Sequence, residues 1–248
     1  MGDRHLSHDR VYRETLPVRS GEVGFQAAVG ESDLWVVARR DLSREIADYL
    51  HQIRGHIQAY SVMHPEFLTS LVPLDVSGSA PEIVRAMAEA GRICSVGPMA
   101  AVAGAVAQAG ADRFRDESPD LLVENGGDLY LHSTKDRTVA LLAEPESGAK
   151  IGLAIGAEEF PLALCSSSGK VGHSLSLGQG DLVTVRAGSG PLADAAATAL
   201  ANMIQEDRDV GRVVEQARAW EEHGIEGVFA QSGKKIAVWG KMEMVALS

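Results

Sequence analysis

The stretch from Cys165 to Leu200 reads CSSSGKVGHSLSLGQGDLVTVRAGSGPLADAAATAL, and it carries two kinds of pattern in succession. Cys165 directly follows an apolar run that predicts a strand at Leu162–Leu164. A predicted loop of small, hydroxyl-bearing residues comes after it. A second strand pattern at Leu182–Arg186 leads into an alanine-rich helix pattern that begins at Leu192. Backbone N–H groups of small residues, an imidazole and a carboxylate are the components of an anion or metal site. We therefore predict a strand–loop–strand–helix unit that carries a candidate site.

The pattern differs on the two sides of Leu121. Upstream, after a predicted hairpin of residues 23–39, apolar residues recur mainly at helical spacing, as in the long amphipathic segment that follows Asp41. Downstream, short strand patterns dominate, with predicted helices at Leu192–Gln205 and Val210–Glu222. Because helices and strands cluster in this way and do not alternate, the sequence predicts an α+β fold. It contains no convincing linker, so we expect residues 1–248 to form one domain.

Composition excludes several classes of partner. A net charge of −11 over 248 residues leaves no basic excess for a general nucleic-acid or anionic-membrane surface. Two cysteines cannot make a disulfide scaffold, and the polar N-terminus has no apolar signal core, so we expect a cytoplasmic protein. The uncharged stretch Ile93–Ala111 is rich in Ala and Gly, which predicts a buried, closely packed helix and not a membrane span.

The segment Asn125-Gly126-Gly127-Asp128 lies between two strand patterns and has two interpretations. Asn-Gly and Gly-Gly pairs are typical of a hairpin turn, because both tolerate positive φ. Alternatively, the glycines let a ligand approach the backbone, and Asn125 and Asp128 supply polar contacts to it.

Asp194 and Thr198 are one helical turn apart, so their side chains project from one face of the predicted helix. A carboxylate and a hydroxyl are hard oxygen ligands of the kind that Mg²⁺ takes together with water and phosphate oxygens. The alternative is that Asp194 lies in the first helical turn and only interacts favourably with the helix dipole.

Cys165 is a candidate catalytic residue. Lys170 and His173 follow it by five and eight residues and would stabilise a thiolate of lowered pKa, although a buried inert cysteine is the more frequent case. We expect Cys165 to be more reactive than Cys94, which adjoins the apolar helix.

Three motifs together resemble the ApbE superfamily, whose best-known members transfer FMN from FAD onto a target protein with Mg²⁺. The family's Gly-Gly-Asp segment is similar to Asn125–Asp128. Its Ser-Gly followed by a histidine is similar to Ser168-Gly169 and His173. Its Ala-Asp-Ala-x-Ala-Thr-Ala helix start is similar to Ala193–Ala199. The resemblance spans about residues 93–204, and the motifs occur in the family's order.

The resemblance implies a T-fold-like α+β architecture, in which antiparallel sheets pack against helices, and possible homo-oligomers. It implies FAD or FMN and Mg²⁺ as cofactors, with Asp194 and Thr198 as metal ligands. Cys165 and His173 are the candidate catalytic residues. The predicted flavin-binding residues are Asn125, Gly126, Gly127, Asp128, Ser167, Ser168 and Gly169.

The chain also departs from the family pattern. Ala101 stands where the family has a lysine, and Ser174, not Asp-Pro, follows His173. The string CSSSGKVGHSLS resembles a cytoplasmic ApbE-like branch of anaerobic bacteria and archaea that is linked to assimilating sulfide into homocysteine. This likeness favours Cys165 as a persulfide carrier with sulfur-transfer protein partners. The alternatives are a Mg²⁺-dependent flavin transferase or flavin-nucleotide hydrolase, and a flavin- or nucleotide-binding module without chemistry.

Overall fold

The structure is a computed structural model, and it describes residues 16–141, 150–168, 180 and 182–247. Six α-helices lie within these residues: α1 Ser43–Met63, α2 Glu66–Thr69, α3 Glu82–Cys94, α4 Val102–Phe114, α5 Gly190–Asn202 and α6 Val210–Ala219. Eleven strands lie there too: β1 Val23–Val29, β2 Ser32–Ala38, β3 Leu121–Asn125, β4 Asp128–His132, β5 Arg137–Leu141, β6 Lys150–Ile155, β7 Leu162–Ser167, β8 Leu182–Ala187, β9 Ile225–Ser232, β10 Lys235–Gly240 and β11 Glu243–Leu247.

Two antiparallel sheets form the frame of the molecule. The larger has eight strands in the order β1-β2-β3-β4-β7-β8-β9-β10, and the smaller has three in the order β11-β6-β5. The helices and the small sheet cover opposite faces of the large sheet, so its central strands are buried on both sides. The predicted α+β class with antiparallel sheets against helices is confirmed.

Alternation along the central strands assigns each side chain to one of two cores. On β7, Ala163 and Cys165 join the core under the helices, whereas Leu162 and Leu164 join the core between the sheets. Helix α4 packs on β3 and β4, and helix α5 packs on β7 and β8. The N-terminal halves of α4 and α5 therefore meet above the middle of the large sheet.

The structure corrects one strand boundary. The sequence predicted that the strand ends at Leu164, but β7 continues to Ser167, and Cys165 pairs with Val185 of β8. Hydroxyl-bearing residues indicated a loop, yet in a central strand Ser166 satisfies its hydroxyl by a 2.8 Å hydrogen bond with that of Thr184 on the neighbouring strand.

The uncharged stretch around Gly97 comprises the end of α3, a 3₁₀ turn at Pro98–Ala101 and most of α4. Within the described residues, no single helix is long and apolar enough to cross a membrane. By length and composition only, one pair meets the requirement when taken together, Glu82–Cys94 with Pro98–Phe114, and it is bent by 105°.

Candidate functional site

The turn between β3 and β4 places two polar side chains on the helix-covered face of the large sheet. Asn125 and Asp128 are cross-strand partners, and Gly126 and Gly127 connect them with φ of +68° and +107°. The hairpin interpretation therefore describes the backbone. Asn125 donates a 3.1 Å hydrogen bond from Nδ2 to the carbonyl of Ala103, just inside α4. The hydrogen bond ties the turn to the start of α4.

Asp194 projects from α5 onto the start of α4. Its Oδ2 accepts a 2.9 Å hydrogen bond from the backbone N–H of Gly104, and the N–H of Ala103 also donates to the carboxylate. The predicted dipole interaction therefore exists, but with the N-terminus of α4 and not with that of its own helix. Thr198 is buried one turn further along α5.

Asp128 and Asp194 form a pair of buried acids. Burial, and then the negative charge of Asp194, raise the pKa of Asp128 well above its usual range, although the N–H of Ser166 donates to its Oδ1 at 3.1 Å. Burial also raises the pKa of Asp194, against the opposing hydrogen bonds from α4. In the part of the chain that the structure describes, no Lys or Arg forms an ion pair with either carboxylate. Two buried negative charges without a cationic partner are stabilised when one carboxylate takes up a proton or when a cation binds between them.

The prediction that Cys165 carries a thiolate of lowered pKa is wrong. The side chain has no exposed area, and its Sγ lies 3.7 Å from the carbonyl oxygen of Gly190 in α5. Burial, followed by the negative charges of Asp128 and Asp194, raises its pKa well above the ordinary value. Burial raises the pKa of Cys94 as well, to about 12. A thiol that is both enclosed and protonated is neither a nucleophile nor an accessible sulfur carrier.

The remaining predicted site residues are Ser167, Ser168, Gly169 and His173. Ser167 is buried at the end of β7, and strand alternation puts it on the same face as Cys165. Ser168 follows directly. Because the N–H of Ser166 donates a hydrogen bond to Asp128, the end of β7 and the hairpin turn lie next to each other. Gly169 and His173 lie outside the described residues.

The donor set fits a magnesium ion better than a soft metal. Asp128, Asp194 and Thr198 are hard oxygen donors, and Mg²⁺ commonly takes only one or two carboxylates and completes its shell with water and phosphate oxygens. Among the described residues, no three His, Cys, Asp or Glu side chains are grouped so that they could enclose a metal ion by themselves. Any metal here would therefore take further oxygens from water or from a bound ligand.

Sequence reasoning missed the residues that support Asp194. A Cβ on Gly104 would lie 2.3 Å from the carbonyl oxygen of Gly190, and one on Gly190 would lie 2.4 Å from that of Gly104. The two glycines let the backbones of α4 and α5 touch beside the carboxylate. The sequence did contain one signal, a glycine inside an alanine-rich helix. Glycine destabilises a helix relative to alanine, so its presence there indicates close packing.

Comparison with known proteins assigns the chain to a family. A family model described as AbpE bacteria matches residues 14–223. The chain belongs to the AbpE family. This AbpE chain is 40% identical over 194 residues to a UPF0280 protein of Methanocaldococcus jannaschii, covering 76% of this chain and 78% of that protein. It is 34% identical over 200 residues to a UPF0280 protein of Archaeoglobus fulgidus, covering 79% and 82%.

Solved structures show the same fold. The AbpE chain is similar to the flavin transferase ApbE from Vibrio cholerae, with a TM-score of 0.62 and 13% identity over 89% of this chain and 97% of that one. It is also similar to the ApbE protein of Thermotoga maritima, with a TM-score of 0.54 and 12% identity over 87% and 96%. The predicted ApbE-like architecture is therefore confirmed, and at these identities the likeness concerns the fold alone.

Proposed function

We propose that this ApbE-like protein binds a flavin nucleotide together with Mg²⁺ and acts on its phosphate groups, as an FMN transferase or as a flavin-nucleotide hydrolase. The observation that carries the proposal is the buried pair of Asp128 and Asp194, which lacks a cationic partner among the described residues. Similarity of fold to flavin transferases supports flavin as the nucleotide.

The residues have separable roles in this proposal. Asp128 and Asp194 would hold the metal ion, and the hydroxyl of Thr198 would add an oxygen or bind one of the metal's waters. When bound, Mg²⁺ would supply charge neutralisation and polarisation at the phosphate oxygens. Gly126 and Gly127 carry no side chain that would obstruct a ligand above the hairpin, and no heavy atom lies within 4 Å of a Cβ built on Gly126. The expected partner is a flavin nucleotide. Assembly into homo-oligomers stays a prediction.

Sulfide assimilation into homocysteine is the weaker candidate. Its chemistry required Cys165 to accept sulfane sulfur as a thiolate, and the buried thiol of raised pKa does not support that step. The third alternative, binding without chemistry, differs from the proposal only in turnover. Release of AMP or FMN from FAD would separate the two.

The proposal is tested by replacing Asp194 with Asn, which removes one charge and keeps an oxygen to accept from Gly104. We expect binding of Mn²⁺, a paramagnetic substitute for Mg²⁺, in the presence of FAD to weaken at least tenfold, about 1.4 kcal/mol. Free Mn²⁺ is counted by electron paramagnetic resonance, and Asp116→Asn, at an exposed carboxylate, is the control. Equal affinity in wild type and Asp194→Asn would contradict the proposal.

A further inference from the structure

Helix α5 begins without a cap of its own. Its N-cap residue, Ser189, makes no side-chain hydrogen bond to the first turn. Instead, the N–H of Gly190 donates a 2.8 Å hydrogen bond to Oε1 of Gln108, which lies on α4. A side chain from one helix therefore satisfies the first free N–H of the other, which fixes their relative position along both axes.

Gln108 is itself held in one orientation. Its Nε2 donates a 3.1 Å hydrogen bond to Oδ2 of Asp112, and Oδ1 of Asp112 lies 2.8 Å from Nε2 of His132. Burial raises the pKa of Asp112, but hydrogen bonds from His132 and Gln108 outweigh that effect and lower it, so the carboxylate remains an acceptor. With its amide nitrogen committed to Asp112, Gln108 presents only its oxygen to α5.

The hydrogen bond between Gln108 and Gly190 lies next to Asp194, the proposed metal ligand. One helical turn before Gln108, Gly104 touches the backbone of Gly190 and donates its N–H to Asp194. A shift of α5 along α4 would lose the Gln108 and Asp194 hydrogen bonds together, because both connect α4 to α5.

We propose that Gln108 is a positioning residue for Asp194. It acts through the N-terminus of α5, with Asp112 and His132 as its support, and touches neither metal nor substrate. The inference rests on the proposed function only in that Asp194 is taken as a metal ligand. The placement of Asp194 by Gln108 is testable without metal.

The test compares Gln108→Leu with the double variant Gln108→Glu/Asp112→Asn in the full chain. The double variant exchanges the charges, so a glutamate oxygen can still accept from Gly190, and an asparagine N–H₂ can donate to that glutamate. Gln52→Leu, at an exposed glutamine of α1, is the matched control. The metal-free readout is hydrogen exchange of the Gly104 amide, measured by NMR, and the second readout is Mn²⁺ affinity with FAD present.

We expect Gln108→Leu to speed exchange at Gly104 at least tenfold and to weaken Mn²⁺ binding about tenfold. The double variant should restore both to within threefold of wild type. Unchanged exchange at Gly104 in Gln108→Leu would overturn the inference, and so would failure of the double variant to restore it. If wild type binds no Mn²⁺ while the Gly104 exchange pattern holds, the proposed function fails and the positioning role stands.

Discussion

Cys165 occupies a position where its environment disfavours ionisation. It lies on a central strand, under α5, near the buried carboxylates of Asp128 and Asp194. A thiolate there would lack water and would add a negative charge next to existing ones. The residue therefore acts as a small apolar side chain with a weak S–H donor.

The first prediction concerns this thiol. In a Cys94→Ala background, the native protein should react with iodoacetamide roughly a hundredfold more slowly than an unfolded sample, because burial and the raised pKa suppress the thiolate. The rate is followed by mass spectrometry from pH 6 to 10. Rapid native alkylation with a midpoint below about 8.5 would restore Cys165 as a candidate nucleophile.

At the scale of elements, the contact between α4 and α5 requires glycine at one position and not at another on the same helix. A Cβ on Gly104 would lie 2.8 Å from Cβ of Asp194 in addition to its clash with Gly190. A Cβ on Gly110, six residues later in α4, would meet only Cδ1 of Leu34 at 3.8 Å, an ordinary contact. Substitution of Gly110 is therefore a matched control for substitution of Gly104.

We expect Gly104→Ala to lower the free energy of unfolding by about 1–3 kcal/mol, because the helices must separate. Gly110→Ala should raise it by about 1 kcal/mol, the usual gain in helix propensity. Urea unfolding of both variants measures the difference. Equal stabilisation by the two substitutions would show that α4 and α5 are not in backbone contact.

At the scale of the whole molecule, the carboxylate pair makes stability depend on pH. Because the folded pKa of Asp128 is raised, its contribution to stability is fully present below the ordinary carboxyl value and is lost as pH rises through the folded pKa. Ion-paired acids such as Asp120, whose pKa is lowered, behave oppositely and lose their contribution as pH falls.

Asp128→Asn should therefore stabilise the metal-free protein increasingly as pH rises. Relative to wild type, we expect no gain near pH 4 and a gain that grows as pH rises toward 8, because the buried Asp128 carboxylate ionises only above its ordinary pKa. Acids that are present in both wild type and Asp128→Asn contribute equally to the two stabilities, so their contributions cancel in the difference. Denaturant unfolding across this range measures it, and a constant difference at all pH values would show that Asp128 is not a buried, charge-coupled acid.

The sequence by itself determined the class of fold, the hairpin at Asn125–Asp128 and the helix that carries Asp194 and Thr198. These features depend on local spacing of apolar residues, on glycine tolerance of positive φ and on helical periodicity. The motif order along residues 93–204 also indicated the superfamily, which the family match over residues 14–223 confirms.

Only the tertiary structure decided which groups share an environment. The burial of Cys165 follows from an eight-stranded sheet covered on both faces, and nothing local to residues 162–168 specifies that cover. The meeting of Asp128 with Asp194, and of Gln108 with Gly190, joins segments 66 and 82 residues apart. Ionisation depends on solvent access and neighbouring charge, and both are properties of the packed molecule and not of the chain order.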